Sequence, residues 1–145
     1  MNKLNAGYSK VVITPPMGIN VAGYFQKRYA SAVLDDLYAC TLALSVEDKT
    51  VVFVNLDLIS IDANGADVIR DYVSSELGLP KEAIFLSGTH THTGPSIRLL
   101  GNSEEADNMI LEYRKFLGTR CVDVACFALA DLKPAKKALT PYDRW

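Results

Sequence analysis

Histidine is almost absent from this chain. His90 and His92 are the only two in 145 residues, and they share one tripeptide. Cysteine is also scarce: Cys40, Cys121 and Cys126 form no C-x-x-C pair, and an odd number closes no complete disulfide framework. Each lies in an apolar run, so buried free thiols are expected. Neither sign of charge is in excess, with 15 Lys and Arg against 17 Asp and Glu for a net charge of −2. The cations are scattered, which excludes the basic footprint of a nucleic-acid binder and a polybasic membrane anchor. No segment reaches the ~18 uninterrupted apolar residues of a membrane-spanning helix. The opening "MNKLNAGYSKVV" carries no apolar run of a secretory signal, so a cytoplasmic location is expected from the sequence as written. Internal repeats, low-complexity tracts and linkers are missing too.

What is present fits one globular domain. Hydrophobic residues make up 49% and charged residues 22%, and a chain of this length buries roughly two-thirds of its unfolded surface. Tyr8–Thr14 has the β-branched content of a short strand and stops at Pro15–Pro16. A loop rich in Pro and Gly follows. Two apolar runs, "LYACTLALSV" and "TVVFVNLDLISI", flank a polar Glu-Asp-Lys and predict an antiparallel hairpin. The second run is apolar on both faces as far as Asn55, which predicts a strand covered on two sides. Residues 63–79 place Val68, Ile69, Tyr72, Val73 and Leu77 at helical spacing, with Gly78 and Pro80 as the stop. "AIFLSGTH" is then a strand, joined by a crossover that favours parallel pairing. A second helix is expected from Ser103 as N-cap to about Leu132, ended by Pro134. Its first half sets Ile110, Tyr113, Phe116 and Leu117 on one face, and its second half is apolar nearly all round, as in a core helix. The closing "AKKALTPYDRW" has no packing pattern. The fold class expected is α/β, a mixed sheet flanked by helices.

The chemistry concentrates in "IFLSGTHTHTGP". In an extended backbone His90 and His92 point the same way, with imidazoles about 6–7 Å apart that can address one small object such as a zinc ion. They sit where an apolar strand yields to a Gly-Pro loop, beyond the carboxyl end of a strand. Asp57 and Asp62 lie near the end of the preceding strand, and either can orient an imidazole through its ring N–H. A carboxylate inside a hydrophobic strand is costly to bury without partners, although such a group more often accepts backbone hydrogen bonds than serves a metal. Arg98 reads as a solvated loop residue before a substrate clamp. Two imidazoles fall short of the three protein ligands of a catalytic zinc site, and no second ligand cluster such as H-x-x-x-D or E-x-x-H appears.

"SGTHTHTGP" resembles the "SGTHTHSGPGG" motif of the neutral/alkaline, non-lysosomal ceramidases, which are zinc amidases. "GYSKVVITPPMGINVAGY" is similar to that family's opening strand with its Thr-x-Pro turn and Gly-Tyr. "LDDLYACTLAL" and "TVVFVNLDLISID" resemble the two segments that follow in the family, in the same order and spacing, so the likeness spans roughly residues 6–130. It implies hydrolysis of an N-acyl bond, as in ceramide giving sphingosine and a fatty acid, with Zn2+ as cofactor. Under it His90 is a zinc ligand. His92 lies beside the metal and holds the substrate or the developing oxyanion, and Asp57 has a supporting role in catalysis.

Two departures qualify that reading. The Gly-Gly after Gly-Pro is Ser96–Ile97 here, which alters the loop over the substrate. The family's remaining ligands, a His, a Glu and a Tyr, lie far downstream in much longer chains, whereas this sequence holds no third histidine. The expectation is therefore a single domain, residues 1–145, equivalent to the N-terminal part of a ceramidase-like catalytic domain. Its active site is incomplete, its remaining zinc ligands lie outside it, and alone it has weak or no activity. The alternatives are a non-catalytic domain of the same fold that binds a ligand or partner through the His90–His92 loop, and a site completed by another subunit. The expected partner is a lipid-like N-acyl substrate, and self-association through an exposed sheet edge is also expected. Members of the family are often secreted or membrane-associated, which stands against the cytoplasmic expectation.

Overall fold

A computed structural model describes residues 3–99, 101 and 103–136. Seven strands and two helices follow in the order β1 (Leu4–Val12), β2 (Asn20–Val21), β3 (Arg28–Tyr29), β4 (Tyr38–Val46), β5 (Lys49–Leu56), α1 (Ala63–Leu77), β6 (Ile84–Gly88), α2 (Glu104–Ala130) and β7 (Lys133–Pro134). Five strands form one mixed sheet in the order β6-β5-β4-β1-β7, and β2 pairs with β3 in a small ribbon. Among the described residues only the β5–β6 pair is parallel. This is the α/β class with a mixed sheet and helices that the pattern predicts.

The hairpin of β4 and β5 closes through Glu47 and Asp48, with Val46 opposite Lys49. Glu47 takes the left-handed conformation (φ 56°) that a two-residue hairpin turn needs. From β5 the chain crosses through α1 to the parallel β6. Asp62 starts α1 by accepting the Gly65 N–H at 2.7 Å, and Gly78 ends it in the left-handed region while donating to the Ser74 carbonyl. Ile69 and Val73 of α1 are buried, whereas Val68 and Tyr72 are exposed.

Both helices lie on one side of the sheet. Gly7 of β1 lies so close under the Ala128 carbonyl of α2 that no side chain fits there. The Ser9 hydroxyl donates to the Val124 carbonyl. Nearer the start of α2, the Tyr113 hydroxyl donates to the Ile13 carbonyl at 2.6 Å. The core between sheet and helices is built from Val11, Ile13, Ala39, Val52, Val54 and Leu56 against Val73, Leu117, Cys121 and Val124. Leu117, Cys121, Val124 and Ala128 are spaced by three or four residues, so they share one stripe of α2.

Several expectations are corrected. Among the described residues β5 is covered on one face only: Val52, Val54 and Leu56 are buried, while Phe53 is 41% exposed and Asn55 is exposed. The second half of α2 is not buried all round either, since Cys126 and Phe127 are exposed. Of the three free thiols only Cys121 is buried; Cys40 is half-buried. Phe116 is also exposed. β1 starts and ends earlier than expected. α2 stops at Asp131, before Pro134, and that proline instead pairs with Asn5 as part of β7. Residues 137–145, most of "AKKALTPYDRW", lie outside the described residues, as do Leu100 and Asn102 of the loop before α2.

Candidate metal centre

β5 and β6 run in parallel to a common end, and the segments leaving them build the site. Beyond Gly88 the backbone stays tied to its neighbour: Thr89 N–H donates to the Leu56 carbonyl at 2.9 Å and His90 N–H to the Leu58 carbonyl at 3.0 Å. His90 then breaks the strand. Its φ is 63°, a left-handed conformation uncommon for any residue with a side chain. The extended His-x-His geometry is thus corrected. The turn, and not strand alternation, brings the two rings together, with centroids 5.1 Å apart and planes at 72°. Backbone held in a sparsely populated region at the mouth of a sheet commonly marks a functional position.

Each imidazole is fixed through the same atom. His90 Nδ1 lies 2.8 Å from the Ile59 carbonyl oxygen, and His92 Nδ1 lies 3.0 Å from the Gly23 carbonyl oxygen. A carbonyl oxygen only accepts, so Nδ1 is the donor in both rings. In a neutral imidazole this leaves Nε2 with a free lone pair, and both histidines are exposed. A ring N–H held by a backbone carbonyl while the other nitrogen stays unprotonated is the usual preparation of a metal-ligating histidine.

Neither candidate carboxylate performs the orienting task expected of it. Asp57 Oδ2 accepts the Tyr38 N–H at 2.8 Å, tying the end of β5 to the start of β4. Asp62 caps α1. Arg98 is exposed, at the rim of a hollow of about 390 Å³ that also touches Ile59, Ser60 and Asp62. Ser96 and Ile97, which replace the resemblance's Gly-Gly, have a packing role. Ile97 is buried, its carbonyl accepts from Arg114 Nε at 2.6 Å, and Ser96 N–H donates to the Asn20 carbonyl.

Residues of the Pro- and Gly-rich segment also reach this site, among them the Gly23–Tyr24 pair of the segment that carries the family resemblance. Gly23 holds φ 91°, and a Cβ there would stand 2.7 Å from His92 Cγ and Nδ1. Tyr24 meets the His92 ring edge-on at 6.5 Å, and the Arg28 guanidinium lies 4.3 Å from the Tyr24 ring centroid. Tyr24 and Arg28 also line a cavity of about 480 Å³ with Ile19, Val21, Leu34 and Pro95, mostly apolar and opening beside the histidines' loop. Nothing in the residue types of that Gly-Tyr pair pointed to a wall for His92.

Two imidazoles with prepared Nε2 atoms fit part of a zinc site. Among the described residues no group of three or more His, Cys, Asp and Glu side chains stands close enough to hold a metal ion. The two imidazoles thus fall short of the three protein donors of a catalytic zinc site.

A mixed α/β layer with a paired-imidazole loop at the carboxyl end of its parallel strands is the class these features define. No family model and no curated protein matches the chain. Solved structures do. Neutral ceramidase from Pseudomonas aeruginosa superposes with a TM-score of 0.72 at 22% identity, covering 92% of this chain and 22% of that one. A ceramidase complexed with C2 gives 0.69 at the same identity and coverage. The chain thus has the fold of one region of neutral ceramidase and spans about a fifth of the length of those proteins.

Proposed function

We propose that this chain is the imidazole-bearing part of a ceramidase-like, zinc-dependent amidohydrolase site that cleaves an N-acyl bond. The observation that carries the reading is the matched pair of Nδ1–carbonyl hydrogen bonds, which prepares two adjacent Nε2 donors on a fold shared with neutral ceramidases. His90 is the metal ligand. His92 adjoins it and serves as a second donor or as a hydrogen-bonding group for the substrate carbonyl. Asp57 supports both by fixing the β4 and β5 ends beneath them. When bound, zinc supplies Lewis acidity toward the amide carbonyl and a nucleophilic water. This chain's own residues hold the imidazole lone pairs in place. Its apolar cavity beside Tyr24 and Pro95 offers a dry surface for the aliphatic part of an N-acyl substrate. The further zinc donors belong to polypeptide outside these 145 residues, so the chain alone binds metal weakly and turns over little or nothing.

Titration with Co2+, followed by its visible absorption and repeated with Zn2+ by calorimetry, tests the assignment. A weak 1:1 complex that His90→Ala abolishes and His92→Ala weakens is the expected result, with affinity falling as acid competes for Nε2. Equal metal affinity in the wild type and in His90→Ala overturns it. In parallel, a fluorescent N-acyl sphingosine should be hydrolysed only when the chain is part of a polypeptide with a full donor set. Turnover indifferent to a chelator excludes the zinc mechanism.

A further inference from the structure

Three of the arginines among the described residues are committed to the backbone. Arg70 Nε donates to the Ile84 carbonyl at 3.1 Å, Arg114 Nε to the Ile97 carbonyl at 2.6 Å, and Arg120 Nε to the Val12 carbonyl at 3.2 Å. Arg70 and Arg120 also meet the carboxylates of Asp67 and Asp123. The guanidinium groups of Arg28 and Arg98 have no hydrogen-bond or ion-pair partner among the described residues. Both stand beside the histidines' loop. Arg28 is on the wall of the 480 Å³ cavity that Gly94 and Pro95 also line, and Arg98 is on the hollow next to Ile59. Of the two, Arg28 is the one held in position. Its guanidinium lies over the Tyr24 ring, 4.3 Å from the centroid, and Tyr24 in turn meets His92 edge-on.

We infer that, given the amidohydrolase role proposed for His90 and His92, Arg28 is a specificity-determining residue that binds a carboxylate on the amine side of the scissile amide, so that the substrate is an N-acyl amino acid. A guanidinium free of protein acceptors at a substrate cavity matches the planar, two-oxygen geometry of a carboxylate. Position agrees with chemistry. Arg28 stands two ring contacts from His92, of 6.5 and 4.3 Å. A substrate bridges that span with its amide carbonyl at His92 and its carboxylate a few bonds further on. The apolar wall of Ile19, Val21, Leu34 and Pro95 takes the acyl chain of the same molecule. The charges around the cavity set the valence of the anion. Asp35 also lines it but forms no ion pair with Arg28, and Lys27 does not line it. One guanidinium with one carboxylate on the same wall leaves no surplus cation for a phosphate monoester, which carries nearly two negative charges. A singly charged carboxylate at the Arg28 end fits. A neutral amine part that bears only hydroxyls gains no ion pair there.

NMR titration of the full, metal-free chain with N-hexanoylglycine and with its neutral isostere N-hexanoylglycinamide reads the preference directly. Arg28 is exposed, so at low salt the carboxylate ligand should bind about fivefold tighter, with shifts in residues 19–37 and 93–95. Arg28→Gln should bring the two ligands to equal affinity. Arg28→Lys should keep part of the difference, because an ammonium supplies the charge without the planar fork. Arg98→Gln should leave the difference unchanged, and Asp35→Asn should widen it. Equal affinities in the wild type overturn the inference, and so does binding of neither ligand. A preference that survives Arg28→Gln, or that disappears in Arg98→Gln, overturns it too. Tighter binding of N-hexanoyl-O-phosphoethanolamine than of N-hexanoylglycine overturns the carboxylate in favour of a phosphate. Working without metal separates this test from that of the zinc site. Equal ligand affinities in a chain that still binds Co2+ through His90 strike the role of Arg28 alone. A preference retained in a chain that binds no Co2+ strikes the metal assignment and keeps the anion site.

Discussion

Gly23 and His92 meet across 69 residues of chain through one hydrogen bond. The glycine fulfils two conditions there: a backbone at φ 91°, and no Cβ where the imidazole lies. Gly23→Ala should fail both. The new methyl displaces the His92 ring, its Nδ1–H loses the Gly23 carbonyl, and the backbone strain costs on the order of 1–2 kcal/mol. Affinity for Co2+ should fall about tenfold, as for other losses of a ligand's orienting partner. Long-range proton–nitrogen NMR spectra of the imidazoles should show His92 losing its single tautomer while His90, held by Ile59, keeps its own. An unchanged His92 tautomer and unchanged metal affinity would show that the ring is placed by something else. The His90–His92 pair drew attention in the sequence because both histidines share one tripeptide at the end of a strand, but the turn at His90 that brings the rings together was not expected. Nor were their carbonyl partners. Ile59 and Gly23 contribute backbone atoms, which leave no trace in residue identity. The carboxylates Asp57 and Asp62 drew attention as orienting groups, but each satisfies nearby backbone N–H groups first.

At the scale of elements, periodicity revealed the hairpin of β4 and β5, the helix α1 with its Gly78 stop, and the start of α2 at Ser103. What periodicity misjudged was cover. An apolar residue on each side of a strand shows that both faces tolerate burial, not that both are buried here, and Phe53 and Phe85 remain in the open. The same holds for α2, where Cys121 faces the sheet and Cys126, five residues on, does not. A thiol reagent applied to the native chain should modify Cys126 quickly and spare Cys121, with mass spectrometry of digests as the readout. Rapid labelling of Cys121 without unfolding would mean that α2 is turned differently on the sheet. β4 carries one conflict within the core. Thr41 is fully buried, and its hydroxyl has no hydrogen-bond partner among the described residues. A buried hydroxyl left unpaired costs on the order of 1–3 kcal/mol, so Thr41→Val, which keeps the shape and the strand preference, should raise stability by about 1 kcal/mol. The denaturant midpoint should rise with the slope unchanged. A fall instead would mean that the hydroxyl finds a partner in solution.

For the molecule as a whole, the contact between α2 and the end of β1 makes folding sensitive to alkali. Tyr113 is buried at 2% exposure with its hydroxyl on the Ile13 carbonyl, and burial pushes its phenol well above the ordinary value of 10.0. Cys121, on the same buried face of α2, has its thiol pushed up to about 12 from an ordinary 9.0, again by burial. Both groups are neutral when protonated, and both bind their proton more tightly in the folded chain than in the unfolded one. Their contribution is therefore complete below the unfolded values. It declines as pH rises past about 9 for the thiol and 10 for the phenol, because the unfolded state releases protons that the folded state retains. Denaturant midpoints should be level from pH 7 to about 8.5 and fall steadily above 9. Tyr113→Phe should cost about 1 kcal/mol at neutral pH through the lost hydrogen bond. Combined with Cys121→Ala, which removes the second titrating group, it should leave a less stable protein whose midpoint is much flatter across the alkaline range. If the double variant keeps the full alkaline slope, the groups whose ionisation unfolds the chain lie elsewhere, and the packing of α2 on β1 is not where the fold yields to base.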